Sequence, residues 1–206
     1  MKPIAILYCA AAVMMMTAAC ASEQKGITST SFDDVILTRR SVRDYDATKK
    51  ISLQEVKDLV IEAQNAPSWA NQQPSRYYVA LSDEKIAAVQ ELVGPRNKQN
   101  VQGAPVLIVS TYEKGLSGFF GGQATNEIGN GWGAYDNGLS NAYLILLARA
   151  RGYDTLIMGM RDSKGLRKLF DIPENEEVMA VISLGYRASD PATPGHKNID
   201  DILKFY

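Results

Sequence analysis

Three arginines and a serine lie within five consecutive residues, Arg39-Arg40-Ser41-Val42-Arg43. Guanidinium groups present fixed forks of donors that match phosphate oxygens, and a neighbouring hydroxyl adds a further donor. This arginine cluster is therefore a candidate site for a dianionic phosphate. On charge alone the alternative is a solvated helix end, which is the commoner role of adjacent arginines.

A second candidate cluster follows the next predicted helix and reads Ala66-Pro67-Ser68-Trp69-Ala70-Asn71-Gln72-Gln73-Pro74. Its amide and hydroxyl groups, held between two prolines, are suited to hydrogen-bond a flat heterocycle with many donors and acceptors. The alternative is a plain turn between a helix and a strand, since proline and polar residues mark such turns.

The two clusters together resemble the FMN-dependent nitroreductase family, which opens with Arg-Arg-Ser-x-Arg and continues, after one helix, with Ala-Pro-Ser-x-x-Asn-x-Gln-Pro. The chain matches both motifs at residues 39–43 and 66–74. The resemblance implies that FMN is the cofactor. It also implies that the phosphate or ribityl chain is held by Arg39, Ser41 and Arg43, with Arg40 beside them. The implied ring-lining residues of one subunit are Pro67, Ser68, Trp69, Asn71 and Gln73, and those facing the ring from the other side are Leu156, Ile157, Met158 and Gly159.

The C-terminal tail is the place where the chain departs from the family pattern. Family members carry a lysine or arginine just before a Leu-Glu-Glu-Val-like segment, which here is Ile199-Asp200-Asp201-Ile202. The corresponding position falls on His196 and Lys197, which we assign as candidate phosphate ligands. His196 is the only histidine. No nucleophile motif or metal-ligand spacing accompanies it, so we predict neither a hydrolase triad nor a metal site.

The order of the predicted elements indicates an α+β fold. Helices are predicted over 32–38, from Ser52 to Ala63, from Ser82 to Gly94, over 135–151 and over 163–170. Strands are predicted over 76–81, 105–112, 154–160 and 177–186. The family resemblance implies an α-β-α sandwich with a mostly antiparallel central sheet and an intertwined homodimer. The helix over 135–151 is apolar almost all round, which predicts burial in the core or in a subunit interface.

The segment from Glu113 to Gly131 is rich in glycine and is long for a connection inside one domain. Its glycines do not form the G-x-G-x-x-G turn of a dinucleotide-binding fold. We predict a mobile flap near the site.

The first 19 residues resemble a signal peptide, with Lys2 followed by an apolar run and then Thr17-Ala18-Ala19-Cys20. Cys20 resembles the lipidated cysteine of bacterial lipoproteins. We predict a signal peptide over 1–19, a lipidated, flexible tether over 20–31 and one FMN-binding domain over 32–206. The location would be the cell envelope, with membrane attachment through the lipid on Cys20. The alternative is a cytoplasmic protein whose apparent leader arises from a misassigned start codon.

The predicted function is an FMN-dependent oxidoreductase that passes electrons from NAD(P)H or another donor to a nitroaromatic, quinone or similar small acceptor. The alternative is an exported, non-catalytic lipoprotein that binds flavin or another planar ligand, because nicotinamide cofactors are ordinarily cytoplasmic. A net charge of -1 gives no indication of nucleic-acid binding.

Overall fold

A four-stranded sheet forms the middle layer, with its strands in the spatial order Ser75–Ala80, Val106–Glu113, Glu176–Gly185 and Asp154–Met158. The computed structural model describes residues 31–206, so the predicted signal peptide and all but the last residue of the predicted tether lie outside the described part. The sheet strands are β1 (Ser75–Ala80), β2 (Val106–Glu113), β5 (Asp154–Met158) and β6 (Glu176–Gly185), and a separate hairpin comprises β3 (Phe119–Phe120) and β4 (Gln123–Ala124). All three neighbouring pairs in the sheet are antiparallel, which confirms the prediction.

Helices cover both faces of this sheet. Their bounds are α1 (Phe32–Thr38), α2 (Leu53–Ala63), α3 (Asp83–Glu91), α4 (Pro95–Asn100), α5 (Gly131–Ala150), α6 (Ser163–Phe170) and α7 (Ile199–Ile202). Alternate residues of β2 enter different cores: Leu107 and Val109 pack with α3 and α6, whereas Val106 and Ile108 pack with α2 and α5. Because side chains alternate across a strand, the buried sheet separates two apolar layers. The predicted α-β-α sandwich is confirmed.

Several helix starts follow the local signals in the sequence. Ser31 and Ser82 accept from backbone N–H groups in the first turns of α1 and α3, and Ser52 forms a complete capping box with Glu55 at the start of α2. Two helices were not predicted, α4 and α7. Gly94 adopts a φ of +78°, and Pro95 then begins α4, a position where the missing N–H of proline costs nothing.

Helix α5 begins at Gly131, four residues before its predicted start. The glycines in its first turns resemble a loop in sequence, but Gly133 is required by packing. A Cβ at Gly133 would lie 2.4 Å from Cδ2 of Tyr112 on β2. This close approach seats the N-terminal half of α5 on the sheet.

Replacing Gly133 with alanine should therefore destabilise the fold by about 1–3 kcal/mol, because the new methyl group overpacks against the Tyr112 ring. Gly138 provides the matched control in the same helix, since a Cβ there meets nothing within 4 Å. Gly138→Ala should stabilise by about 0.5–1 kcal/mol through helix propensity. Urea unfolding of both variants measures the difference, and equal effects would contradict the packing argument.

Candidate functional site

The arginine cluster lies directly after α1 and runs beside the outer strand β5. Arg39 caps α1, and its N–H donates to the carbonyl of Val35 at 2.9 Å. Further along, the N–H of Val42 donates to the carbonyl of Thr155 at 3.0 Å, and Ser41 forms a parallel bridge with Thr155. Val42 is buried in the core, whereas Ser41 and Arg43 on either side of it are exposed. Strand-like alternation therefore presents the serine and the second arginine outward.

A largely buried ion-pair network holds the residue that precedes the arginine cluster, Thr38. The carboxylate of Asp154 accepts from Nε of Arg187 at 2.7 Å and from a terminal nitrogen of Arg149 at 3.5 Å. The two arginines in turn hold Thr38: Arg187 donates to its carbonyl at 3.2 Å, and Arg149 donates to its hydroxyl at 3.0 Å. The hydrogen bond to Asp154 is the largest cause of a raised pKa of Arg187. Arg187 and Arg149 are thus bonded to the carboxylate of Asp154 and to Thr38, the residue before the arginine cluster.

The cations of the cluster itself are differently engaged. In residues 31–206 neither Arg39 nor Arg43 forms a salt bridge, and the side chain of Arg43 donates to the carbonyl of Ser41 at 3.1 Å. Arg40 donates to the carbonyls of Leu37 and Arg39 and to the hydroxyl of Thr193. A small cavity of about 170 Å³ opens beside the cluster and is lined by Ser41, Val42, Arg43, Asp44, Ser189 and Pro191. The structure therefore leaves Arg39, Arg43 and Ser41 available to an anion.

The tail crosses this cluster but does not deliver the two predicted tail ligands to it. Thr193 contacts Arg40 at 2.9 Å, and Ser189 donates to the carboxylate of Asp44 at 2.8 Å. His196 and Lys197 lie a few residues further on, are exposed, and make no hydrogen bond or salt bridge to the cluster in the described structure. Their role at the phosphate stays a prediction.

The Pro67–Gln73 loop has an unusual backbone. It contains a short 3-10 turn over Trp69–Asn71, and Ala70, Asn71 and Gln73 adopt φ values of 44°, 56° and 48°. Left-handed conformations of residues other than glycine each cost about 1–3 kcal/mol and persist only where neighbouring contacts enforce them. Within the loop, the N–H of Gln73 donates to Oγ of Ser68 at 3.0 Å. From outside it, Oδ2 of Asp136 on α5 accepts the N–H of Trp69 at 2.9 Å.

An aromatic cluster joins this loop to the start of α5. The rings of Trp69 and Trp132 have centroids 4.8 Å apart, and Trp132 meets Tyr135 at 5.8 Å in an edge-on contact. An open cavity of about 290 Å³ lies here, lined by Pro67, Ser68, Trp69, Trp132, Tyr135, Asp136 and Leu139. A polar cavity of about 350 Å³ lies on the other side of the loop, between α2, β1 and α5, and Ser68 and Asp136 border both. We name the first of these the tryptophan cavity.

The glycine-rich segment, predicted as a flap, forms the β3-β4 hairpin and packs against the same tryptophan. A Cβ at Gly118 would lie 2.5 Å from Cδ1 of Trp132, and Nε1 of Trp132 donates to Asn126 at 3.0 Å. Phe120 at the hairpin turn is highly exposed. The segment therefore lies near the tryptophan cavity, and its mobility stays a prediction.

The stretch from Leu156 to Gly159 exposes only part of itself to a ligand, and its contact with the flavin ring stays a prediction. The side chains of Leu156 and Met158 belong to the core between the sheet and α3 and α6, so they do not face a ligand. Ile157 and Gly159 are exposed, and a Cβ at Gly159 would meet nothing within 4 Å. Arg161 donates to the carbonyl of Gly159 at 3.0 Å and fixes the backbone there. Any contact of residues 156 and 158 with a ring must come from their backbone.

Comparison with known proteins identifies the family. The model described as "Nitroreductase family" matches residues 36–186, which is most of the chain. The chain belongs to the nitroreductase family. As a nitroreductase-family protein it is an oxidoreductase.

Similar proteins include YodC of Bacillus subtilis, whose name assigns it provisionally to the NAD(P)H nitroreductases. It is 32% identical over 184 residues, covering 77% of this chain and 90% of YodC. A conjugated linoleic acid (CLA) biosynthesis enone reductase of Lactiplantibacillus plantarum is 25% identical over 196 residues, covering 81% of this chain and 90% of that protein. A crystal structure from Exiguobacterium sibiricum, provisionally assigned as a nitroreductase and solved in complex with FMN, superposes with a TM-score of 0.77 at 25% identity. The match covers 87% of this chain and 99% of that one.

Within this nitroreductase-family chain the two motif clusters lie at opposite ends of α5. The loop is bonded to Asp136, whereas Thr38 at the start of the arginine cluster is bonded to Arg149. These helix positions are 13 residues apart, or about 20 Å along the axis at the rise of an α-helix. One chain therefore does not bring the arginine cluster and the loop together into one compact pocket.

Sequence reasoning missed Trp132, Tyr135 and Asp136, which line the tryptophan cavity. Trp132 lies in the first turn of α5, where the glycines indicated a loop, whereas Tyr135 and Asp136 lie within the predicted helix but were not assigned to the site. A signal was present, because Trp132 and Tyr135 are three residues apart and Trp132 and Asp136 four apart, which places them on one helix face.

Proposed function

We propose that this protein is an FMN-dependent oxidoreductase that transfers electrons from NAD(P)H or another donor to a nitroaromatic, quinone or similar small acceptor. The observation that carries the proposal is the state of the arginine cluster. It matches the family motif, is held rigidly by Asp154, Arg187 and Arg149, and leaves Arg39 and Arg43 without a carboxylate partner in residues 31–206. The Exiguobacterium sibiricum structure, which matches this chain over almost its whole length, was solved in complex with FMN.

The residues present fit FMN at both ends. Arg39, Arg43 and the hydroxyl of Ser41 supply charge-assisted donors for a phosphate, beside the small cavity that Ser41 and Arg43 line. The exposed loop offers Ser68, the Trp69 ring and the Asn71 amide to a flat heterocycle. When bound, FMN supplies the redox chemistry, and the protein supplies binding, orientation and exclusion of water. No acid or base side chain is required of the protein.

We further propose that two copies of the chain complete each site, with the arginine cluster of one copy and the Pro67–Gln73 loop of the other. The separation of the two clusters along α5 supports this arrangement. So does an apolar groove of about 410 Å³ between α1 and α5, lined by Phe32, Val35, Tyr143, Leu146, Leu147 and Ala150. Ile199, Ile202 and Phe205 of the tail are also exposed, although they are large and apolar. A homodimer would cover such surfaces.

Replacing Leu146 with lysine should shift the protein from dimer to monomer and reduce FMN binding at the same time, because a buried charge in the interface is costly. Leu53→Lys is the matched control, since Leu53 is an exposed apolar residue at the start of α2, outside the groove. Sedimentation velocity gives the mass of each variant. A flavin-loaded wild-type monomer would contradict the two-chain site.

Turnover tests the activity. The purified protein is stripped of flavin, and the oxidation of NADH or NADPH is followed with a nitroaromatic or a quinone as acceptor, before and after FMN is added. The proposal expects turnover only with FMN present. FMN that binds tightly but accepts electrons from neither nicotinamide would favour the alternative of a binding protein or a different donor.

We also propose that Cys20 is lipidated and anchors the domain to a membrane of the cell envelope. The proposal rests on the apolar run and Thr17-Ala18-Ala19-Cys20, which lie outside the described residues. Two or more acyl chains give stable anchoring. Residues 31–206 contain no helix that is long and apolar enough to cross a membrane. Fractionation of wild type against Cys20→Ala is the test. Release of only the variant supports the anchor, and intact wild type in the cytoplasmic fraction contradicts it.

A further inference from the structure

Asp136 has an unusual position in the tryptophan cavity. The residue is only 4% exposed, yet it borders the cavities on both sides of the Pro67–Gln73 loop. Its Oδ2 accepts the backbone N–H of Trp69, which holds one oxygen at a fixed place under the loop. No cation pairs with it among residues 31–206. The carboxylate is thus held at the wall of the cavity without a neutralising partner.

The remaining walls of the tryptophan cavity carry no charge. They consist of Pro67, Ser68, three aromatic residues and Leu139. Among the described lining residues, only Asp136 and the phenol of Tyr135 can ionise. The electrostatic potential of the cavity is therefore set by this carboxylate. The walls around it are mainly apolar, so few polar groups of the protein screen its charge.

We infer that Asp136 is a specificity-determining residue that makes the site discriminate against anionic acceptors in favour of neutral or cationic ones. The inference rests on the proposed function, because it takes the tryptophan cavity as the place where planar acceptors meet the flavin. A planar acceptor that carries a carboxylate would bring a second negative charge close to Asp136. Like charges a few ångströms apart repel, whereas a neutral acceptor of the same shape keeps the aromatic contacts without that repulsion.

Two acceptors of nearly equal shape test the inference: 4-nitrobenzoate, which is anionic, and 4-nitrobenzamide, which is neutral. Both tryptophans of the chain, Trp69 and Trp132, line the cavity, so quenching of the intrinsic fluorescence reports occupancy directly. Equilibrium titrations of the full-length FMN-loaded protein give a dissociation constant for each acceptor. This readout does not depend on turnover or on the electron donor.

The wild-type protein should bind the neutral acceptor about tenfold more tightly than the anionic one, as a charge interaction of this kind at a few ångströms implies. Asp136→Asn keeps an oxygen acceptor for the Trp69 N–H and removes the charge, so the two dissociation constants should become nearly equal. Asp83→Asn is the matched control. It removes one negative charge from α3, on the other face of the sheet, where the side chain is 96% exposed, and it should leave the ratio unchanged.

The ratio separates specificity from folding. If Asp136 only anchors the loop, Asp136→Asn alters both dissociation constants together and the ratio persists, which overturns the inference. Equal binding of both acceptors by wild type, or quenching by neither, also overturns it. The proposed function fails separately, by an absence of FMN binding. A second readout is the anaerobic rate at which each acceptor reoxidises the reduced protein. In that reaction the nitro group takes up two electrons and two protons, becomes a nitroso group and releases water.

Discussion

Replacing Arg39 or Arg43 with alanine is expected to weaken FMN binding about tenfold or more. Each guanidinium would donate charge-assisted hydrogen bonds to the phosphate, and such bonds contribute about 1.5–3 kcal/mol each. Since about 1.4 kcal/mol corresponds to a factor of ten, the loss is readily measured, and the double variant should be weaker than either single one. Arg40→Ala should have a smaller effect, because its guanidinium is already bonded to two carbonyls and to Thr193.

Quenching of flavin fluorescence on binding gives these affinities. Riboflavin, which lacks the phosphate, is the ligand control: its affinity should change little in the same variants. Arg96→Ala is the matched protein control, since Arg96 is an exposed arginine on α4, outside the cluster. Wild-type FMN affinity in both Arg39→Ala and Arg43→Ala would show that the phosphate binds elsewhere.

Removing the carboxylate of Asp154 should destabilise the protein by about 3–5 kcal/mol, the usual cost of breaking a buried ion pair from one side. The Asp154 side chain is 1% exposed, and the change leaves Arg187 and Arg149 without their shared partner. Because these two arginines also hold Thr38, Asp154→Ala should loosen the arginine cluster and weaken FMN binding as well.

Asp190 is the natural control for this effect. It pairs with the same Arg187, but its side chain is 88% exposed, so Asp190→Ala should cost about 1 kcal/mol or less. Urea unfolding compares the two variants. Replacing Arg187 and Asp154 together by apolar residues should cost less than Asp154→Ala alone, because only Arg149, rather than both arginines, is then left without its carboxylate partner. A cost for Asp154→Ala no larger than that for Asp190→Ala would contradict this role.

Elements with local signals were predictable from the sequence. The capping box at Ser52 and the cap at Ser31 fix the starts of α2 and α1 through contacts three residues away, and both were predicted. The start of α5 was not, because the glycines of its first turn disfavour a helix by themselves. Only the seat of Gly133 against Tyr112, which lies on a strand 21 residues earlier, makes that turn favourable.

The same division applies to the candidate site. Motif residues such as Arg39 and Ser68 were predicted by resemblance, and the structure places them on exposed segments with supporting bonds. Asp136 meets Trp69 only because the fold joins residues 67 positions apart, and no local pattern indicates this contact. The stretch from Leu156 to Gly159 was assigned to the ring by resemblance. The alternation of β5 against the core directs the side chains of Leu156 and Met158 inward, so only their backbone could face a ring.

The most direct test of the central claim is the visible absorption spectrum of the purified full-length protein with FMN, recorded before and after anaerobic addition of NADH or NADPH. We expect a protein-bound flavin spectrum that bleaches with at least one nicotinamide and returns when a quinone or nitroaromatic acceptor is added. A protein that binds no flavin, even when FMN is supplied in excess, would contradict the account.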